Sequence, residues 1–135
     1  MFVLLGLMLC FPLRGTGLPD LEQMFMRNQV EEFSLLLAPQ VRIETDLRPI
    51  LYDHGDLSRQ QVLWAFAKLH DRYLVRDAVI TNFQSDTNYA WLEIYLDLAL
   101  EEKRTGIESH IIFAFHFKIS ASQMAIYRWI LQDHY

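Results

Sequence analysis

The chain has 135 residues, 52% of them hydrophobic and 21% charged, which is enough apolar material for one packed domain and too much for a disordered one. Its net charge of −5 argues against nucleic acid or an anionic membrane as a partner, since both call for a basic patch. Lys103-Arg104 is the longest basic run, and it sits in an expected turn.

The chain opens on a nearly unbroken apolar stretch, Met1 to Leu13, followed by Arg14-Gly15-Thr16-Gly17. A membrane-spanning helix needs about 20 apolar residues, so the stretch is too short to cross a bilayer. It has the length of a signal-peptide core, and Gly15 and Gly17 are the small residues that a signal peptidase prefers. Residues 1–17 are therefore expected to be a signal peptide, with 18–135 forming a single exported domain, periplasmic or secreted and free of the membrane after cleavage. No Lys or Arg precedes the stretch, and the alternative is an N-terminal segment that stays in place. Cys10 is the sole cysteine. Leu9 before it lacks the small size that lipidation needs, and cleavage would leave no thiol for a disulfide or a reaction.

Pro19-Asp20 suits the first turn of a helix, and Leu21, Met24 and Phe25 share one face. The pattern falters at Arg27-Asn28, restarts with Val30, Phe33, Leu36 and Leu37, and stops at Pro39. Pro19–Ala38 thus reads as one kinked helix or two short ones. Val41 to Asp46 alternates and reads as a strand, Leu47-Arg48-Pro49 as a turn, and Ile50 to Asp53 as a second short strand. His54-Gly55-Asp56 reads as loop. Ser58-x-x-Gln61 is a capping box, with Leu57 and Val62 spaced as a hydrophobic staple. The helix that follows carries Val62, Ala65, Phe66, Leu69 and Tyr73 on one stripe.

Val75 to Gln84 reads as a strand, and Ser85 to Asn88 as a turn. The sharpest pattern comes next. Ala90, Leu92, Ile94, Leu96, Leu98 and Leu100 alternate with Tyr89, Trp91, Glu93, Tyr95, Asp97, Ala99 and Glu101. After a turn, Ile107, Ile111, Phe113, Phe115, Phe117 and Ile119 alternate with Glu108, His110, Ile112, Ala114, His116 and Lys118. A period of two over such lengths means paired antiparallel strands, each with one buried face. Met124 to Leu131 forms a final strand, and either Met124, Ile126 and Ile130 or Ala125, Tyr127, Trp129 and Leu131 point inward. A sheet with one apolar face needs a cover, and the helices must lie on it. The fold class is α+β, with helices packed on a curved antiparallel sheet of four long strands plus one or two short ones.

This order of elements resembles the nuclear transport factor 2-like superfamily, the cystatin-like α+β roll, over roughly Leu18 to Asp133. The resemblance rests on the helical pair broken near Arg27-Asn28, the strand Val41 to Thr45 and the helix start at Asp56-Leu57-Ser58-x-x-Gln61. It is similar in particular to small exported bacterial domains of unknown function. The resemblance implies a pocket between helices and sheet, and pairing of two copies through the back of the sheet. The superfold hosts enzymes, adaptors and plain binding modules, so it does not imply one activity.

Enzymes of this roll place a carboxylate, His or Tyr among apolar residues in that pocket, where burial shifts its pKa. The two longest strands offer no such group inward; Ser109 is their one inward polar residue. Tyr52, Asp53, His54 and Asp56 form a weak candidate rim, with a plain helix-capping loop as the alternative. His110 and His116 lie six apart on one strand, about 20 Å at strand rise, too far to share a metal. Each can instead face Glu93 or Asp97 on the neighbouring strand. Neither a metal nor a cofactor is expected, because no glycine-rich phosphate loop and no ligand-like spacing occurs.

The outward sheet face is unusually apolar. Trp91, Tyr95, His110, Ile112 and His116 make it a candidate interface. The expectation is a non-catalytic exported binding or interaction module that forms a homodimer through this face. Its further partner would be a small apolar ligand between helices and sheet, or an envelope protein. The alternative is an isomerase- or hydrolase-like enzyme of the same fold.

Overall fold

A computed structural model describes residues 20–47, 51–86, 88, 90–120 and 123–134, the side chains of 45–47, 51–54, 133 and 134 excepted. The expected signal peptide lies outside the described residues. Helix α1 spans Leu21–Met26 and helix α2 Val30–Leu35. The Asp20 carboxylate accepts from Gln23 N at 3.2 Å and caps α1. Asn28, with φ at 52°, makes the corner between them; asparagine tolerates this left-handed conformation better than most residues. The apolar stretch before Pro39 is thus two short helices, broken where the helical period falters.

Six strands follow, β1 Leu37–Leu47, β2 Leu51–Ser58, β3 Tyr73–Ser85, β4 Trp91–Glu102, β5 Glu108–Ser120 and β6 Gln123–His134, with helix α3 at Arg59–Arg72 between β2 and β3. They form one curved sheet in the order β2-β1-β6-β5-β4-β3. Several points depart from expectation. The strands β1 and β2 are not short, at 11 and 8 residues. The sheet is mixed, because β1 runs parallel to β6 while every other pair is antiparallel. His54, Gly55 and Asp56 are strand, since Glu44, Ile43 and Arg42 pair with them and override their turn preference. Ile107 and Ala90 lie just outside β5 and β4, and Ile107 is exposed rather than inward.

Pro39 does not end a helix; it lies inside β1. The register between β1 and β6 shifts between Leu37 and Arg42, and in that irregular stretch the missing proline N–H is not needed. Helix α3 starts as expected. Ser58 Oγ accepts from Gln61 N at 3.3 Å, and Gln61 Oε1 accepts from Ser58 N at 2.8 Å. Its buried stripe is Val62, Ala65, Phe66 and Leu69, while Tyr73 belongs to β3.

The last strand uses parts of both expected faces. Phe117 pairs with Ile126 and His116 with Arg128, so Tyr127 is an extra residue in a β-bulge. Before the bulge Met124 and Ile126 point inward; after it Trp129 does. The helices cover the inward side of the sheet, and the core between them is mostly aromatic. Phe25, Phe33, Phe66, Phe113, Phe115, Phe117 and Trp129 are all fully buried there.

Candidate functional site

The space between helices and sheet is built by one ring from each helix and several from the sheet. Phe25 of α1, Phe33 of α2 and Phe66 of α3 meet Phe113 and Phe115 of β5 and Trp129 of β6. Phe33 stacks on Phe66 with centroids 4.5 Å apart and planes at 18°. Phe25 meets Phe66 edge-on at 5.0 Å, and Phe113 meets Trp129 at 5.0 Å and 87°. These are the separations that ring quadrupoles favour. From Leu92 to Leu100 on β4 and from Ile111 to Phe117 on β5, every inward position is a buried hydrocarbon side chain. Ser109 stands half-buried at the end of that row, opposite Leu100.

Two polar groups enter this interior. The first is His70. It sits four residues after Phe66 at the flank of the apolar stripe, half-buried, with its ring 4.5 Å from that of Phe66. Its Nδ1 lies 2.9 Å from Phe66 O, and its Nε2 lies 2.7 Å from Phe25 O at the end of α1. Both nitrogens face backbone carbonyl oxygens rather than open space. The imidazole ties α1 to α3. The second is Trp129, whose Nε1 is buried with no hydrogen-bond partner among the described residues. A buried donor left unpaired costs about 1–3 kcal/mol.

The outer face of the same strands, expected to be unusually apolar, is largely polar and paired. A register row runs Arg42, Arg128, His116, Glu93, Gln84 across five strands. His116 Nε2 lies 2.8 Å from Glu93 Oε2, and the Tyr95 hydroxyl donates to Glu93 Oε1 at 2.6 Å. Arg128 donates through Nε and Nη2 to one oxygen of Glu44. His110 Nδ1 lies 3.4 Å from Asp97 Oδ1. Each histidine thus faces a carboxylate of β4, as the alternation implies. The pKa of His116 is lowered from its ordinary value by burial, which outweighs the attraction of Glu93 and is aided by the Arg128 charge. The Tyr95 phenol is raised, first by its hydrogen bond to Glu93 and then by burial. Ala114, in register between Tyr95 and Ile130, is only 1% exposed although it faces outward, so the outer face is crowded as well as polar.

The outer-face candidates Trp91, Tyr95, His110, Ile112 and His116 therefore share β4 and β5. Tyr52, Asp53 and His54 lie on β2, with three strands between it and β4, and their side chains are outside the described residues. The two sets do not form one site. His70 was not singled out by sequence reasoning, and Trp129 stood there only as a member of one of two alternative inward sets of the last strand. The spacing from Phe66 to His70 could have suggested the former; no local pattern reveals the bulge that turns Trp129 inward.

Two surface hollows accompany these faces. One of about 240 Å³ on the outer side is lined by Asp77, Val79, Thr81, Asp97, Ala99 and His110. The other, of about 320 Å³, opens where Leu35, Pro39, Arg59 and Met124 meet, with Arg59 Nη2 donating to Leu37 O at 3.0 Å. Among the described residues, no group of three His, Cys, Asp or Glu is placed to hold a metal ion. No described helix is long and apolar enough to cross a membrane.

No family model matches the chain, and no curated protein matches it in sequence. Solved structures do match in shape. A DUF4783 family protein from Bacteroides fragilis superposes with a TM-score of 0.66 at 13% identity, over 84% of this chain and 96% of that one. An NTF2-like protein from Cytophaga hutchinsonii gives 0.54 at 9%, over 81% and 85%. The fold is the nuclear transport factor 2-like roll. A Mycobacterium tuberculosis protein in complex with estradiol-17beta-hemisuccinate shares this roll too, with a TM-score of 0.64 at 13% identity, over 82% of this chain and 85% of that one.

Proposed function

We propose that this chain is a non-catalytic binding module, exported behind a cleaved leader at residues 1–17, that takes a small apolar ligand between helices and sheet and pairs with a second copy through its outer sheet face. The observation that carries the reading is the chemistry of the inward face. Catalysis in such a space needs a group able to give or take a proton. The buried inward positions of β4 and β5 are hydrocarbon, and the imidazole found nearby among the described residues, His70, has a backbone carbonyl oxygen beside each of its nitrogens. Apolar walls with very few polar groups are what small-molecule sites are made of. The Mycobacterium tuberculosis neighbour, with its steroid ester, supports the view that this roll can accommodate a rigid apolar guest.

Pairing draws support from the outer face. It combines half-buried Tyr95, Ile112 and Tyr127 with a row of both charge signs, a composition suited to a self-complementary contact. Trp91 is 40% exposed at one end of that face.

The test of the ligand reading is thermal unfolding of the protein with a panel of rigid apolar molecules, estradiol-17beta-hemisuccinate among them. A ligand that binds only the folded state raises Tm by mass action. A rise in Tm with at least one guest is the expected result. No rise with any member, at concentrations up to solubility, would overturn the reading.

A further inference from the structure

We propose that Trp129 is the polar reading point of this interior, its Nε1–H donating to a single carbonyl or hydroxyl oxygen on a flat apolar guest. The inference rests on the ligand reading above and names what selects the guest. Three observations meet at this residue. Its indole nitrogen is buried and has no partner among the described residues, an arrangement that folded proteins rarely leave without a reason. The β-bulge at Tyr127 sets its direction; without the extra residue, Arg128 and Ile130 would take the inward positions. Its neighbours Phe25, Phe33, Phe113 and Phe115 offer ring faces and edges and no competing acceptor.

A wall of rings with one donor specifies its ligand class. The guest is flat, because the local geometry is ring against ring, as in the Phe33–Phe66 stack. It carries one acceptor near one edge, since a second would be buried without a donor. It is uncharged at that end, because no described cation faces the interior. A guest reaches the indole only by parting packed rings, of which Phe25 and Phe33 are carried by α1 and α2, two helices of six residues each. The first of them, α1, is held by the Glu22 carboxylate, which accepts from Ile80 N at 2.8 Å, and by His70 at Phe25 O.

The test uses two probes of one shape, 2-acetylnaphthalene with a carbonyl and 2-ethylnaphthalene without, titrated calorimetrically into the native protein and Trp129→Phe. The ketone should lose roughly tenfold in affinity on the substitution, the size of one hydrogen bond, while the hydrocarbon binds both forms alike. In the native protein alone, the Trp129 indole N–H resonance should shift downfield with the ketone and not with the hydrocarbon, a readout that needs no variant. If both probes bind but the ketone loses nothing, or the indole proton does not distinguish them, the role of Trp129 is refuted and the ligand reading survives. If neither probe binds the native protein, both fall.

Discussion

The two faces of β4 and β5 are made from alternate residues of the same segments, yet they do different physical work. Inward, Leu92, Ile94, Leu96, Leu98, Ile111, Phe113, Phe115 and Phe117 are nearly or fully buried and make contact only by shape. Outward, Glu93, Tyr95, His110 and His116 are held by directional pairs. The inner face holds the fold together, because burying a large apolar side chain contributes about 1.5–3 kcal/mol, whereas an exposed ion pair contributes at most about 1 kcal/mol. The outer face is therefore free to serve association and to respond to pH without endangering the fold.

The widest gap between the faces should appear on truncation. Phe115→Ala removes a fully buried ring and should cost about 3–5 kcal/mol in urea unfolding. Tyr95→Phe removes only the hydroxyl held by Glu93 and should cost no more than about 1.5 kcal/mol. Equal costs would erase the distinction. Next in size is Trp91→Asp on the outer face. It should weaken self-association by about 2 kcal/mol or more, the scale of an interface hot spot, and leave thermal unfolding nearly unchanged. Sedimentation velocity reads this directly; a native protein that is monomeric at high concentration would refute the pairing.

The smallest effect is a dependence on pH carried by His116. Its folded pKa lies below the ordinary histidine value of about 6.5 because burial disfavours the charged ring. Above that value both folded and unfolded chains hold the ring neutral, and its contribution to stability is fully present. As pH falls through it, the unfolded chain takes the proton first, so stability declines until the folded pKa is passed. His116→Gln should flatten this part of the stability profile relative to the native protein. An unchanged slope would mean that the ring titrates alike in both states.

Much of this division was legible in the sequence because a period of two separates faces directly. The inward set from Leu92 to Phe117 and the facing of His116 to Glu93 both follow from alternation and register. The Ser58 capping box likewise needs only local spacing. What could not be read depends on partners distant in sequence. The His54-Gly55-Asp56 stretch reads as loop, yet it lies in a strand because β1 supplies the pairing, and Pro39 lies in β1 at the register irregularity, where no N–H is called for. The phase change at Tyr127 comes from one extra residue opposite β5, and it alone decides that Trp129 rather than Ile130 faces the core. The dual contact of His70 needs the end of α1, 45 residues earlier in the chain.

The most direct measurement is a crystal structure of the protein soaked with 2-acetylnaphthalene. The guest should lie between α1, α2 and the sheet, its ring against Phe66 and its carbonyl oxygen within hydrogen-bond reach of Trp129 Nε1. A guest seated only in the outer hollow of Asp77, Asp97 and His110, or at the opening beside Arg59, with the aromatic interior undisturbed, would contradict this account.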